Sequence, residues 1–589
     1  MKILDACIVA GNGCRPLHPI EDNLQQLDLF AKFGTSICGG ELREKMDDGD
    51  GALVLAEMAG SDIVKRNGSS PRRGLVMATN FGAASTMSWC WQEKADTGEI
   101  SQETYEPADD YVRKMAAALG CDGPACQISM SCASGLAALQ VASDMLDSGC
   151  ADSVLVVAYD EFAGCAATGL KILRTISPEG KVMSFDARRH GTVFGDGAAA
   201  VLLAHDEAPG KGLGYVAGTA TNNNAFHITA PRQEGEGSRL VMAAALKSAG
   251  IGAAEIRHVT AHATGTVAND ATESAALRKL LGNRNVSLAA YKRTIGHKLG
   301  AAGLMELIMT ADGIRRGECT SPYGADFVPD EKCAPYCSMP RQKAEGPALI
   351  DAAGIGGNNA AVVYACEKPV PRSPAQIGPV YIRAMGWVLP DSIGNGKELL
   401  EHPEWLRNCN PSALAGFSAK EYLSSVKGYL DPASAYLLAA CRLALGDRSA
   451  AEPDPRIGLC AVTEYGCPVS AMQFHRMFTE KGEHASPLLF PHTYANTPTC
   501  MAAMENGLAG PHIVFYGEQD FDQAAEFACR RLFDGSADEM LLARFEAFCP
   551  DAFPAAKKAL SGAVVYLLAA TPSENDLGTF TKDVFTGLK

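Results

Sequence analysis

Residues Gln127–Leu139 read QISMSCASGLAAL and place a cysteine, Cys132, where a strand turns into a helix. The β-prone run at the start of this stretch meets, without a spacer, a small-residue segment with helical periodicity from Ala133 to about Leu146. N–H groups of a first helical turn and the positive end of the helix dipole favour the thiolate, the nucleophilic form of cysteine. A cysteine among small residues is more often a packed core residue. The rest of the chain must decide between these two interpretations.

The composition is that of a large globular protein. The chain has 589 residues, of which 47% are hydrophobic and 20% charged, enough for two to four domains. The net charge of −16 and the pI near 5.3 disfavour a nucleic-acid or anionic-membrane surface. The 20 cysteines include no Cys-x-x-Cys pair, no secretory signal precedes the first strand, and no apolar run is long enough to span a membrane. We therefore predict a cytoplasmic protein with reduced thiols, no metal site, and neither a nucleic-acid nor a membrane partner.

Short apolar strands alternate with amphipathic helices over residues 1–366. Ser153–Tyr159 and Ala198–Ala204 have the length and apolar content of buried strands. This alternation predicts a layered α/β fold. A proline-rich polar segment, residues 367–378, interrupts the pattern and is predicted to be a linker.

Beyond the linker, residues 379–589 repeat part of the preceding chain. Gly74–Gly82 (GLVMATNFG) matches Gly458–Gly466 (GLCAVTEYG) in its glycines, threonine and apolar positions. Three more matches follow in the same order: Gly123-Pro124 with Gly510-Pro511, Ala151-Asp152 with Ala537-Asp538, and Gly197–Ala204 with Gly562–Ala569. Four ordered matches indicate a partial internal repeat. Counted from each Gly-Pro pair, the position of Cys132 holds Gln519 in the second copy.

Two histidine motifs lie at other predicted strand ends. Val259–Thr266 reads VTAHATGT and contains His262, and Tyr291–Gly303 reads YKRTIGHKLGAAG and contains His297. Each motif joins a predicted strand to a predicted helix, as the stretch around Cys132 does. Strand ends of an α/β sheet open into a common crevice. A cysteine and two histidines there are residue types that carry out acyl chemistry.

Taken together, the motifs resemble those of β-ketoacyl-acyl carrier protein synthases, or ketosynthases, of the thiolase-like superfamily. The matching stretches are SCASG around Cys132, HATGT with His262, KRTIGHKLGAAG with His297, FDARRHG from Phe185 and GIGGNNA from Gly354. The resemblance implies an α/β thiolase-like layered fold for a complete ketosynthase module, residues 1–366. Its N-terminal lobe would be residues 1–205 and its C-terminal lobe residues 206–366.

The resemblance also implies a reaction. Cys132 would take an acyl group from a phosphopantetheine thioester delivered by acyl carrier protein, and the enzyme would bind no cofactor of its own. A malonyl thioester would then lose carbon dioxide, while N–H groups of His262 and His297 stabilise the developing enolate. Attack on the acyl-Cys132 carbonyl would give a 3-oxoacyl thioester two carbons longer, as in fatty acid, polyketide or polyene biosynthesis.

Supporting positions of the family are also matched. Lys292 and Glu306 stand where ketosynthases keep a supporting lysine and glutamate, although by residue type alone they could equally be a surface charge and a solvated helix face. The N–H of Cys132 and the loop with Ile355, Gly356 and Gly357 resemble the oxyanion hole and gating loop of the family.

Three residues depart from the family pattern. Ala263 follows His262 where glycine is usual, which leaves the backbone less freedom. Ile355 replaces a phenylalanine that gates the acyl pocket in many members, so the gating and the chain selectivity of this protein are open. Asn358 replaces a usual threonine.

Residues 379–589 resemble a half-length ketosynthase N-terminal lobe with Gln519 in the nucleophile position. Neither histidine motif recurs there. Some ketosynthases work with an inactive partner of this type, a chain-length factor. We therefore expect residues 1–366 and 379–589 to form an intrachain pseudo-dimer, with further oligomerisation open. Partners of half length resemble those of aryl-polyene and other polyene systems.

Two other functions fit parts of the sequence. A thiolase-like acyltransferase acting on coenzyme A esters shares the fold and a Gly-His motif, and a non-catalytic scaffold that shapes an acyl tunnel would suit the second module. Acyl carrier proteins are acidic, so this acidic chain needs local basic sites for docking. Candidate sites are Lys65-Arg66, Arg72-Arg73 and Lys292-Arg293, each of which could instead be an ordinary solvated pair.

Overall fold

The computed structural model describes most of the chain. It covers residues 1–581 except 11–13, 16–25, 31–34, 39–49, 69, 99–107, 163, 210–211, 283, 285, 321–326, 334–340, 344, 371–373, 408–409, 426–427, 449–451, 518–520 and 548–559. Within these described residues, no helix has both the length and the apolar content needed to cross a membrane.

Within the described residues, the first unit of the fold contains eight strands and five α-helices. Its strands are β1 (Lys2–Val9), β2 (Cys14–Arg15), β3 (Gln26–Phe30), β4 (Thr35–Cys38), β5 (Arg73–Ala78), β6 (Ala125–Ile128), β7 (Ser153–Asp160) and β8 (Gly197–Ala204). Its helices are α1 (Gly51–Asn67), α2 (Ala84–Thr97), α3 (Ala108–Ala118), α4 (Ser134–Asp147) and α5 (Gly164–Ile172). The strands predicted at Ser153–Tyr159 and Ala198–Ala204 are confirmed as β7 and β8.

The described part of the middle unit contains seven strands and four α-helices. Its strands are β9 (Gly214–Asn223), β10 (His258–Thr260), β11 (Ser287–Ala289), β12 (Glu318–Thr320), β13 (Arg341–Lys343), β14 (Ala348–Gly354) and β15 (Asn358–Ala365). Its helices are α6 (Glu236–Ala249), α7 (Val267–Leu281), α8 (Lys292–Ile295) and α9 (Ala302–Arg316).

The third unit follows the proline-rich segment. Its strands are β16 (Tyr381–Val388), β17 (Ile393–Asn395), β18 (Ile457–Thr463), β19 (His512–Tyr516), β20 (Glu539–Glu546), β21 (Gly562–Ala569) and β22 (Gly578–Thr579). Its helices are α10 (Glu398–Glu401), α11 (Pro432–Leu445), α12 (Pro468–Lys481), α13 (Thr497–Asn506) and α14 (Phe521–Phe533).

One five-stranded pattern occurs in all three units. When the five main strands of a unit are numbered from its N-terminus, their order in the sheet is 3-2-4-5-1, with strand 2 parallel to strands 3 and 4, and strand 5 antiparallel to strands 4 and 1. The five strands are β1, β5, β6, β7 and β8 in the first unit, β9, β10, β11, β14 and β15 in the middle unit, and β16, β18, β19, β20 and β21 in the third. The four matches found in the sequence are between the first and third units.

The first and third units share a continuous sheet. Strand β6 pairs antiparallel with β19 through Ile128 and Phe515, so strand 3 of one unit meets strand 3 of the other. Behind this junction, Arg531 of α14 forms an ion pair with Asp144 of α4 at 2.7 Å, and both side chains are buried. Backbone pairing and a buried ion pair thus connect the first and third units.

The pattern places the three reactive residues at strand ends. Cys132 follows strand 3 of the first unit, His262 follows strand 2 of the middle unit, and His297 follows strand 3 of the middle unit. Helices α4 and α9 bring these ends together, because a Cβ at Gly135 would lie 2.8 Å from the carbonyl oxygen of Gly300, closer than any side chain allows. Glycine is therefore needed where the nucleophile helix crosses the His297 loop.

Candidate active site

Cys132 sits in a tight turn between β6 and α4. The preceding residue, Ser131, has a φ of 52°, a left-handed conformation that is unfavourable for serine. Ser134 holds the turn, because its hydroxyl accepts the N–H of Met130 at 2.8 Å and donates to carbonyl oxygens of the turn and of Thr79. The predicted change from strand to helix at the nucleophile is confirmed.

Burial acts on Cys132 against the effect of the helix start. Loss of solvation raises the pKa of the Cys132 thiol to about 12, and the nearby Lys292 ammonium offsets only part of this effect. The residue is only 8% exposed, so loss of solvation outweighs the start of the helix. Burial therefore favours the thiol over the thiolate that the helix start favours.

His262 and His297 face each other edge to face, with ring centroids 5.4 Å apart. Both are buried, and burial together with the Lys292 charge holds the pKa of each imidazole well below its usual value. Phe194 stacks on His297 at 5.2 Å between ring centroids. Both rings are therefore neutral at physiological pH.

Their neighbours determine which nitrogen of each ring carries the proton. The ammonium of Lys292 lies 3.3 Å from Nδ1 of His262, and the backbone N–H of Leu299 donates to Nδ1 of His297 at 3.1 Å. Both neighbours can only donate, so each Nδ1 accepts and each proton must be on Nε2. The arrangement gives two neutral Nε2–H donors and leaves neither ring free to act as a base.

Lys292 and Glu306 form a fully buried ion pair, with Nζ 2.7 Å from Oε1. The other glutamate oxygen, Oε2, is buried and has no hydrogen-bond partner among the described residues. Burial raises the pKa of Glu306 to about 7, and the lysine opposes this rise. The interpretation of Lys292 as a surface charge is thus wrong, and so is its use as a docking site with Arg293, since acyl carrier protein cannot reach a side chain with no exposed surface.

Glu273 of α7 is a site residue that the sequence reasoning missed. Its two carboxylate oxygens accept the backbone N–H groups of His262 at 2.6 Å and Ala263 at 2.8 Å. Ala263 has a φ of 44°, so the strain expected where alanine replaces glycine is present and is held by these bonds. In the sequence it is simply a second acidic residue, three positions after Asp270, in a segment with helical periodicity.

The FDARRHG motif packs against the His262 motif. The hydroxyl of Ser184, just before Phe185, donates to the carbonyl oxygen of Ala263 at 2.7 Å, and the N–H of Gly191 donates to Gly265 at 3.0 Å. Phe185 has a φ of 62°, and its N–H donates to the carboxylate of Asp270 at 2.8 Å. The motif thus supports the strained backbone behind His262.

The glycine loop lies directly against the nucleophile turn. A Cβ at Gly354 would be 2.9 Å from the carbonyl oxygen of Met130 and 3.1 Å from the nitrogen of Cys132. The N–H groups of Gly356 and Gly357 already donate to the carbonyl oxygens of Ile228 and Gly354. Neither glycine can therefore supply an oxyanion donor. The N–H of the remaining loop residue, Ile355, has no acceptor among the described residues.

Gln519 falls in 518–520, outside the described residues, between the end of β19 and the start of α14. This is the same connection, strand 3 to helix, that carries Cys132 in the first unit. Counting from the Gly-Pro pair of each unit therefore leads to the same strand-to-helix connection in the first and third units.

Comparisons with known proteins agree with this geometry. A family model described as "Beta-ketoacyl synthase, N-terminal domain" matches residues 40–208, and one described as "Beta-ketoacyl synthase, C-terminal domain" matches residues 213–321. Nodulation protein E of Rhizobium meliloti is 30% identical over 343 residues, which cover 55% of this chain and 84% of that protein. The chain belongs to the β-ketoacyl synthase family. This synthase is accordingly a condensing enzyme of the acyltransferase type, from the class that serves fatty acid and polyketide synthesis.

Two further matches show how much of the chain is similar to known proteins. The chloroplastic 3-oxoacyl-[acyl-carrier-protein] synthase I of Arabidopsis thaliana is 30% identical over 393 residues, covering 59% of the synthase and 81% of that protein. The structure named PfaC Keto synthase-Chain length factor superposes with a TM-score of 0.74 at 15% identity, covering 96% of the synthase and 78% of that chain. The second match shows the fold alone, and it confirms the mixed α/β thiolase-like architecture.

Proposed function

We propose that the synthase extends an acyl chain held on Cys132 by decarboxylative condensation with a malonyl thioester on acyl carrier protein. The observation that carries the proposal is the pair of neutral histidines, His262 and His297, whose Nδ1 atoms are occupied and whose Nε2–H groups are therefore donors. Two fixed neutral donors suit an oxygen that gains negative charge when carbon dioxide leaves.

In the first step, the Cys132 sulfur attacks the carbonyl carbon of the incoming acyl thioester. The oxygen gains charge and accepts the N–H groups of Cys132 and Ile355, which lie on adjoining turns. The bond from carbon to the phosphopantetheine sulfur then breaks. The departing sulfur takes up the proton that the thiol loses, so the products are acyl-Cys132 and a free carrier thiol.

In the second step, a malonyl thioester places its carbonyl oxygen against Nε2–H of His262 and His297. The bond from carbon to the carboxylate breaks and carbon dioxide leaves. The electron pair of that bond forms an enolate, which the two donors stabilise. The enolate carbon attacks the acyl-Cys132 carbonyl and expels the cysteine sulfur, which recovers a proton from water. The product is a 3-oxoacyl thioester with two more carbons.

Residues 379–589 are, in this proposal, a degenerate half ketosynthase that acts as a chain-length factor in an intrachain pseudo-dimer. Support comes from the strand order that they share with the first unit, from the β6–β19 pairing, and from the absence of both histidine motifs from this sequence. The proposal locates the reaction in the cytoplasm, consistent with the free cysteines of the described chain.

A cavity of about 110 Å³ between the first and third units is the proposed site of the acyl chain. It is lined by Phe81 and Cys165 from the first unit and by Ala471, His475 and Phe490 from the third, among others. Phe81, which lines the cavity, packs on Tyr494 at 4.9 Å between ring centroids.

Reconstitution with malonyl-acyl carrier protein and a series of acyl primers tests the proposal by mass spectrometry of the carrier. The wild type should release carbon dioxide and form 3-oxoacyl carrier protein. Cys132→Ala should form neither acyl-enzyme nor product, and His262→Ala should still acquire the acyl label but should lose carbon dioxide release. The control is Cys150→Ser, because Cys150 is exposed. Elongation by Cys132→Ala would overturn the mechanism, and activity with coenzyme A esters alone would identify a thiolase-like acyltransferase.

A further inference from the structure

A side chain of the third unit reaches the nucleophile turn of the first. The amide nitrogen of Asn496 lies 3.0 Å from the hydroxyl of Ser131 and 3.4 Å from the carbonyl oxygen of Ile355. The Ser131 hydroxyl in turn lies 3.0 Å from the same Ile355 oxygen. The three residues form a closed triangle, and Asn496 is 1% exposed. No solvent can replace this bond if it is lost.

The side chain of Asn496 does not cap its own helix. It is the N-cap residue of α13, where asparagine normally accepts a backbone N–H of the first helical turn and stabilises the helix by about 1 kcal/mol. Here its side chain makes no capping bond. Instead, its amide nitrogen faces Ser131, Ile355 and the sulfur of Cys500 at 3.6 Å. The side chain therefore contacts the neighbouring unit, in addition to Cys500 of its own helix.

The corresponding residue of the first unit has a partner in its own helix. Asn496 precedes the left-handed glycine that ends its helix, Gly507, by eleven residues, and the residue eleven before the corresponding Gly120 is Asp109. Asp109 forms an ion pair with Arg113 of its own helix at 3.1 Å. The unit without histidine motifs thus supplies the amide, and the unit with Cys132 receives it.

The two residues that Asn496 holds flank the proposed oxyanion donors. Ser131 precedes Cys132 and has the strained φ of 52°, and the carbonyl of Ile355 belongs to the residue whose N–H has no acceptor among the described residues. A strained residue persists only when its surroundings hold it. A shift of well under 1 Å in either turn would misalign the N–H groups of Cys132 and Ile355.

We propose that Asn496 is a positioning residue for the reaction at Cys132, acting through Ser131 and Ile355 to hold the two oxyanion donors in place. The third unit then completes the active site of the first, besides lining the acyl cavity. This inference rests on the proposed function, since it assigns a role within that reaction.

The test compares Asn496→Ala with Asn506→Ala in the full chain. Asn506 is the matched control, because it is a buried asparagine at the other end of α13 whose amide donates to Ala502 of its own helix at 3.0 Å. The measured quantities are kcat and KM for condensation, the single-turnover rate of Cys132 acylation, and the melting temperature. For Asn496→Ala we expect kcat and the acylation rate to fall about 10- to 100-fold with KM within about threefold. Asn506→Ala should retain the wild-type rates.

Asn496→Asp separates positioning from a general loss of structure. Its ionised carboxylate cannot donate to the Ile355 carbonyl, whereas the protonated carboxyl can. The ratio of its kcat to that of the wild type should therefore rise as the pH falls from 8 to 6. Wild-type rates in Asn496→Ala, or equal losses in both alanine variants, or an Asp variant whose ratio is independent of pH, would overturn the inference. A wild-type enzyme that neither labels Cys132 nor elongates a primer would instead refute the proposed function.

Discussion

The carboxylate of Asp160 accepts the backbone N–H of Gly300 at 2.6 Å, and this bond connects the first unit to the loop that carries His297. Asp160 ends strand β7 and also accepts the Thr79 hydroxyl and the N–H groups of Asn80 and Phe81. Four donors converge on one buried carboxylate. The bond to Gly300 makes the strand end of one unit part of the histidine site of the next.

The third unit keeps only the local part of this arrangement. Glu546 ends β20, the counterpart of β7, and accepts the N–H groups of Glu464 and Tyr465, as Asp160 does for the residues after β5. No histidine motif follows Glu546 in the sequence, so the third unit has no counterpart of the Gly300 loop. Mutation of Asp160 and of Glu546 can therefore distinguish the structural role that both residues share from the role that Asp160 alone has at the histidine site.

Replacing Asp160 by asparagine should damage both stability and turnover. The amide has one acceptor oxygen where the carboxylate has two, and its NH₂ group would face N–H donors. We expect a loss of about 2–4 kcal/mol in the free energy of unfolding, from hydrogen bonds to a buried charged group, and a fall in kcat as the His297 loop moves. The control, Glu546→Gln, should lower stability in urea unfolding without lowering the kcat of the folded fraction. Equal kcat in the two variants would contradict this assignment.

Variants of the Lys292–Glu306 pair should show that its effect on stability is separate from its effect on catalysis. Lys292→Met leaves the buried Glu306 carboxylate unpaired, so we expect a loss of about 3–5 kcal/mol in unfolding free energy. It also removes the donor that fixes the tautomer of His262, so decarboxylation should fall by about 100-fold or more. The double variant Lys292→Met with Glu306→Leu should recover much of the stability and none of the decarboxylation. If the double variant regained carbon dioxide release, the lysine would have no role in positioning His262.

Buried histidines should make the synthase sensitive to acid. Burial lowers the pKa of His258 to about 4 and that of His512 to about 3, so neither takes up a proton in the folded state near neutral pH. Unfolded histidines titrate near 6.5, so the unfolded state binds more protons and stability falls as the pH drops below that value, by about 1.4 kcal/mol per pH unit for each such histidine.

His512→Gln tests this relationship. Nε2 of His512 lies 3.0 Å from the Thr499 hydroxyl, a contact that a glutamine amide can keep while it cannot titrate. The free energy of unfolding is measured in urea at several pH values between 7.5 and 5. Its slope against pH should be smaller for the variant than for the wild type, by the equivalent of about one bound proton. An unchanged slope would show that His512 is not a source of the acid sensitivity.

Filling the cavity between the units should shorten the product. Ala471 lies on α12 and lines the cavity, so Ala471→Phe places a ring in the proposed path of the acyl chain. Mass spectrometry of the carrier-bound products should show a shift to shorter chains with the acylation rate for short primers unchanged. Arg476→Phe adds the same ring to the solvent-facing side of the helix, where the arginine is 75% exposed, and should not change the product. An unchanged distribution in Ala471→Phe would exclude this cavity as the acyl site.

The sequence was most informative where the chemistry is local. Cys132, His262 and His297 each lie in a short motif at a strand end, and the folded chain brings the two histidines into contact. The relation between the first and third units was also visible, because glycines and apolar strands recur in order. The middle unit shares the same strand order but was not recognised as a repeat, since its strands β10 and β11 have three residues each and carry too little pattern.

What the sequence could not provide depends on tertiary contacts. Glu273 and Asn496 act on residues that are far from them in the chain or in another unit, and no local pattern marks a buried polar side chain by its partner. Lys292 was open to a surface interpretation because lysine is rarely buried, and only the facing Glu306 explains its burial. The raised pKa of Cys132 has the same origin, since the enclosure that desolvates the thiol is formed by distant parts of the fold.

The most direct test of the account is a pulse and chase on the isolated acyl-enzyme. The synthase is first loaded with a labelled acyl group, freed of donor, and checked by mass spectrometry for one label on Cys132. Malonyl-acyl carrier protein is then added. We expect the label to leave Cys132 and appear on the carrier as a 3-oxoacyl group two carbons longer, with one carbon dioxide released per label transferred. A label that stays on the protein, or that moves to the carrier without elongation and without carbon dioxide, would contradict the account.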